Sequence, residues 1–199
     1  PLLPLRGEPP ARAEIRVERG GTRLYLNDRE VYPFWGTSLH LLATIGNYRA
    51  AQIRMIHPVL GMESGWHGPD RYDWTLIDTF LSRLLDLHPD AFFLPRLQLD
   101  TPEWWKDAHP DELITYGLPT REEEYRLVQK GNIQQFEGGF YNRGGVELRE
   151  ASFASTVWRD DTSRMLRDFL SHVEKSPLRS RMMGYHPTTG RTAEWNYFG

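Results

Sequence analysis

The feature that most constrains this chain is a helical-period run followed at once by a dense apolar run. Leu76, Ile77, Phe80, Leu81, Leu84 and Leu85 recur at the spacing that lines one face of an α-helix. Thr75, with Asp78 three residues on, reads as the helix start, and His88-Pro89 as its stop, since proline lacks the amide hydrogen needed to continue. The next segment, Ala91-Phe92-Phe93-Leu94-Pro95-Arg96-Leu97, reads as a buried strand whose Pro95 predicts an irregular end. The pattern then repeats. Met165, Leu166, Phe169, Leu170 and Val173 predict a helix ending before Pro177, and Arg181 to His186 a short strand. Strands separated by helices run parallel through crossovers, which predicts an α/β fold.

Upstream, Ile15 and Val17 alternate with polar neighbours, Gly20-Gly21 breaks the run, Leu24 and Leu26 resume it, and Asn27-Asp28 turns the chain toward Val31. Residues 1–33 therefore read as a small β-leader. Phe34 to His40 reads as the first core strand. From Thr44 to Glu63 the apolar residues fit either a short helix or a buried strand, with Pro58 as a boundary, and a short helix followed by a strand is preferred. A Gly-rich, charged, aperiodic stretch at about 106–154 resembles an inserted loop. About four β/α units fit residues 34–199. A doubly wound sheet would share this alternation, but no Gly-rich phosphate fingerprint follows the first strand. Polar and aromatic residues gather after the strands, where a (β/α)8 (TIM) barrel places its chemistry, so the N-terminal half of such a barrel is expected.

Composition removes several classes of partner. A net charge of -3 with scattered Lys and Arg gives no field for a phosphate backbone, so no nucleic acid is expected. No run approaches the roughly 20 apolar residues of a membrane span, so no membrane is expected either. Zero cysteines exclude disulfides, thiolate zinc sites and a thiol nucleophile, and leave the compartment open. The aromatic content is high, with seven Trp. Indole packs cores, and it is also a flat apolar face on which sugar C–H groups stack. Trp66, Trp104 and Trp105 fall in loops after strands and read as sugar platforms, one of the adjacent pair facing sugar and one packing. Trp74 and Trp158 fall at helix starts and read as core anchors.

Glu194, just beyond the last strand and beside Trp195, is the candidate acid, because an apolar wall disfavours a carboxylate and keeps the acid protonated. Arg96 suits a carboxylate or a sugar hydroxyl, or else a structural ion pair. Glu63, Asp100 and Glu103 also follow strands, and such acids more often serve salt bridges. His40, His57 and His186 near strand ends suit sugar hydroxyls. As three imidazoles they raise a metal-dependent alternative, which no tight His-x-His spacing supports; neither metal nor cofactor is expected.

Several short motifs occur in order: Arg71-Tyr72-Asp73-Trp74 before the Leu-rich helix, Pro95-Arg96 before Thr101-Pro102-Glu103-Trp104-Trp105, His109-Pro110-Asp111-Glu112, and Gly184-Tyr185 before Glu194-Trp195. From about Trp35 to Gly199 the chain resembles the large glycoside hydrolase clan of (β/α)8 barrels, especially enzymes akin to family 42 β-galactosidases. The resemblance implies a retaining hydrolase of β-glycosides, β-galactosides among them, with Glu194 as acid/base and a nucleophile near a seventh strand, beyond Gly199. It implies an oligosaccharide or glycoside substrate. Many clan members carry Asn before the acid/base, and Ala193 stands there, so that contact must come from Asn196 or His186 or be absent. A half barrel alone would expose unpaired strand edges and is expected to be poorly stable and inactive. The alternatives are a non-catalytic carbohydrate-binding module or pseudoenzyme, and a metal-dependent barrel enzyme acting on sugars.

Overall fold

The computed structural model describes residues 11–18, 20–114, 149–190 and 195. They form a mixed α/β structure of sheets and helices. The leader is an antiparallel three-stranded sheet, β1 (Ala13–Glu18), β2 (Gly21–Leu26) and β3 (Arg29–Val31). Asn27 and Asp28, both at positive φ, make the tight turn between β2 and β3, a conformation these short polar side chains tolerate. One face carries the charges, with Arg16 bonded to Glu14 and Asp28, and Arg23 to Glu30. By strand alternation Ile15, Leu24 and Val17 belong to the other face.

The parallel part begins at β4 (Trp35–Gly36), followed by helix α1 (Leu41–Ala50). The first core strand is thus two residues long rather than the whole of Phe34 to His40. Gly36 sits so close to Tyr48 that a Cβ would lie 2.9 Å from its ring, and the chain then leaves the sheet, with Thr37 Oγ1 donating to the His57 carbonyl. His40 is the N-cap of α1, and the helix begins before Thr44, where it was expected. The ambiguous stretch resolves as α1 followed by β5 (Met55–Ile56) and β6 (Val59–Gly61). Pro58 divides these strands because it has no amide hydrogen, while its carbonyl still accepts from Arg96.

After a short hairpin of β7 (Trp66–Gly68) and β8 (Arg71–Tyr72) comes α2 (Thr75–Leu87). Its cap is not Thr75: Trp74 is the N-cap residue, and the Asp73 carboxylate takes the Thr75 amide at 3.0 Å. The Phe-rich run forms β9 (Phe92–Phe93) and β10 (Arg96–Gln98), again divided at a proline. The expected loop opens instead with helix α3 (Glu103–Ala108), and residues 115–148 of it lie outside the described set. Helix α4 (Thr156–Lys175) begins well before Met165, with Ser155 accepting from the Trp158 amide at 2.9 Å. Its buried residues Trp158, Thr162, Met165, Phe169 and Val173 follow helical spacing, so one stripe serves the full length. The expected strand from Arg181 to His186 is displaced. Arg181 ends a 3-10 turn, Met182 makes a single parallel bridge to Phe93, and the strand proper is β11 (His186–Thr188).

Apart from the β7-β8 hairpin, the strands from β4 onward pair in parallel, in the orders β4-β5-β9 and β6-β10-β11. Chain order and spatial order coincide, with α1, α2 and α4 between successive strands. Among the described residues the sheets do not close into a barrel. One face packs Ile56, Leu60, Phe93 and Leu97 into a single core with Ile77, Leu81, Leu84, Met165 and Phe169. The other face carries His57, Val59, Arg96, Gln98 and His186. It is not apolar, and Arg96, Gln98 and His57 are half-buried while His186 is exposed.

Candidate functional site

Parallel strands deliver their C-terminal ends to one side of the sheet, and here each of three neighbouring strands delivers polar groups. Glu63 follows β6 and folds back over Gly61: a Cβ on Gly61 would lie 2.5 Å from its carboxylate. Asp100 follows β10 and accepts from Gln98 Nε2 at 2.7 Å and from Thr189 Oγ1, beyond β11, at 3.4 Å. Burial pushes the Asp100 carboxyl up, against the Gln98 hydrogen bond, the Lys106 charge and the Gly190 amide, which hold it down. Glu63 is also pushed up, first by burial of its carboxylate and further by the charge of Asp100. Two carboxyl groups on adjacent strand tips are thus both pushed up, Glu63 in part by Asp100, an arrangement suited to hydroxyl binding or proton transfer. The sequence carried one sign of it: each acid stands two residues beyond the last residue of a parallel strand.

Deeper on the same face, His57 and His186 stack at 15° with ring centroids 5.3 Å apart, and Nε2 of His57 lies 3.2 Å from Nδ1 of His186. His57 lies in the link between β5 and β6 and His186 opens β11, with β10 running between β6 and β11. Across a flat sheet, two strand spacings would separate them by roughly 10 Å. Their side chains therefore lean over β10 to meet. Arg96 stands on the intervening strand in register with His186. Burial, then His186, then Arg96 push the His57 imidazole below its ordinary range. His40 is apart in sequence and element, exposed at the start of α1. Among the described residues no group of three or more His, Asp or Glu could hold a metal ion.

The aromatic candidates divide by burial. Trp105 is fully buried and donates Nε1 to Asp161 Oδ2 at 2.8 Å, tying α3 to α4. Trp104 is half-buried, with Nε1 on the Trp66 carbonyl at 2.9 Å. Both ride a helix rather than the expected loop. Trp66 is in strand β7 and 2% exposed, edge-on to Trp104, so it offers no open face. Trp74 and Trp158 are buried in the core, as their positions at helix starts foretold. Trp195 is 49% exposed, with its amide on the Thr189 carbonyl and its Nε1 on the Pro187 carbonyl, both at 3.0 Å. Its ring meets Phe153 and Trp158 edge-on, an anchored indole that keeps an open surface. Glu194 lies outside the described residues. The chain matches no model of a known protein family and no curated protein.

Proposed function

We propose that this chain is the N-terminal half of a (β/α)8-barrel retaining glycoside hydrolase, acting on β-glycosides with Glu194 as acid/base and a nucleophile supplied by a segment beyond Gly199. The observation that carries this reading is the contact of His57 with His186 across β10. In a barrel, each interior layer is built by side chains from alternate strands, and these two residues meet in that way. The order of the parallel strands, with a helix between each pair, supports the same architecture. The acids Glu63 and Asp100 and the exposed Trp195 gather at the C-terminal strand ends, where a barrel hydrolase binds its sugar.

In the double displacement, Glu194 protonates the leaving oxygen while the second carboxylate, about 5 to 5.5 Å away, attacks the anomeric carbon; Glu194 then deprotonates the incoming water. Asp100 and Glu63 bind hydroxyls. The test is hydrolysis of aryl β-glycosides by the chain extended through its downstream reading frame. Activity is expected there and not in the 199-residue chain, and Glu194→Gln should lower it by about 100-fold or more, as loss of a general acid does. Turnover by the 199-residue chain itself, abolished by Glu194→Gln, would overturn the missing nucleophile. Full activity in the extended Glu194→Gln variant would overturn the role of Glu194. The anchored, exposed indole of Trp195 equally suits a binding module without chemistry, the reading left standing by saturable oligosaccharide binding with no hydrolysis in the extended chain.

A further inference from the structure

The leader sheet ends at β1, whose outer edge pairs with no strand among the described residues. Which of its backbone groups face outward follows from the turn at Asn27-Asp28. A two-residue turn closes on a hydrogen-bonded pair, here Leu26 with Arg29, so Leu24 and Leu26 turn their backbone groups toward β3. Tyr25 and Arg23 then face β1 and pair with Glu14 and Arg16, in phase with the Asn27 amide on the Arg12 carbonyl at 2.8 Å. Ala13, Ile15 and Val17 are left with amides and carbonyls pointing away from the sheet. The side chains of Ile15 and Val17 are exposed as well, and no proline or lysine guards the strand.

We propose that β1 is the interface for a second copy of this chain, pairing antiparallel with its own counterpart about a two-fold axis at Ile15 and joining the two three-stranded leaders into one continuous sheet. In this register Ile15 faces Ile15 of the other copy and Ala13 faces Val17, each pair exchanging both backbone bonds, with the apolar side chains together on one face. On the other face Glu14 stands opposite Arg16, and Arg12 opposite Glu18, each pairing repeated by the two-fold. Glu14 and Arg16 meet at a non-hydrogen-bonded position, where Cα atoms approach to about 4.5 Å and side chains are closest. A slip of two residues one way opposes Glu14 to Glu14 and Arg12 to Arg16; the other way it opposes Arg16 to Arg16 and Glu14 to Glu18. A slip of one turns the apolar face of one copy onto the charged face of the other. Within one chain Glu14 already accepts from Arg12 and Arg16, and Arg16 also reaches Asp28. The charges therefore select the register, while backbone bonds and apolar contacts hold it.

The experiment is sedimentation equilibrium of the 199-residue chain over roughly 5 to 200 μM, the range in which a small interface associates. The average mass should climb from 23.3 kDa toward twice that value. Glu14→Arg and Arg16→Glu each convert two opposite-charge pairs into like-charge pairs, and each alone should weaken the dimer about tenfold or more. Mixed in equal amounts, the two variants set opposite charges against one another again, because the changed positions face each other across the axis, and association should return. Mixing would not rescue a change that merely disturbed the leader. Should a charge variant not fold, as judged by circular dichroism, Ile15→Pro decides: the amide it lacks points out of the leader, so the sheet keeps its bonds while the dimer loses those at the axis. A chain monomeric throughout, variants that associate as tightly as the parent, a mixture no tighter than its components, or a dimer that survives Ile15→Pro would overturn the proposal. The hydrolase reading is untouched by either result, since no strand of the parallel sheets takes part.

Discussion

At the scale of single residues, His57 shows how position sets chemistry. Burial, the neighbouring His186 and the Arg96 charge all oppose a proton on the His57 imidazole. The folded pKa lies below the unfolded value, so the unfolded chain binds the proton more readily. The resulting contribution to stability is present above the ordinary histidine range near pH 6.5 and is lost as pH falls through and below it. Thermal melts should therefore fall between pH 7.5 and pH 5.5, and the fall should be smaller in His57→Gln, which has nothing to titrate; identical slopes would refute the assignment. None of this was legible in the sequence. His57 and His186 are 129 residues apart, and only the tertiary fold brings them together. The burial of Trp66 was hidden as well; that one of Trp104 and Trp105 packs was expected, but not that it is Trp105. Flanking glycines and a following-strand position describe a loop equally well whether its indole points to solvent or into a core.

At the scale of elements, what repeats at short range was legible. The stripe of Leu81, Leu84 and Leu85 gave α2, and the apolar run with Pro95 gave a strand broken at that proline. The start of α4 was missed because Thr156 to Arg164 is polar apart from Val157 and Trp158, and its signal is a serine cap rather than a period. Two substitutions separate these contributions. Leu81 is fully buried between the sheet and the helices, and Leu81→Ala should cost about 2–5 kcal/mol through lost burial and a residual cavity. Ser155→Ala removes the acceptor of the Trp158 amide and should cost about 1 kcal/mol. Denaturant midpoints at unchanged slope would give both values. A Ser155→Ala loss equal to that of Leu81→Ala would mean that the cap does more than hold one helix end.

At the scale of the whole molecule, the outer strand edges are better guarded than a severed barrel would have them. On β11, Pro187 has no amide hydrogen and its carbonyl is taken by the Trp195 indole, while β4 is only two residues long. The open apolar surface lies elsewhere. Between the leader and the parallel strands is a cavity of about 440 Å³ lined by Ile15, Leu24, Pro33, Trp35, Leu94 and Met183. Ile15 is 70% exposed, and Val17, on the same leader face, 85%. If further β/α units complete the fold, their lower ends would pack on this surface. The double substitution Ile15→Thr with Val17→Thr then has opposite consequences in two chains. In the 199-residue chain both positions stay in water, so stability should change by no more than about 0.5 kcal/mol per site and self-association in light scattering should decrease. In the chain extended past Gly199 the same pair should cost roughly 1–3 kcal/mol, because buried apolar surface is lost and hydroxyls enter the core. Equal, near-zero effects in both chains would mean that nothing covers the leader, and the half-barrel reading would lose its complement.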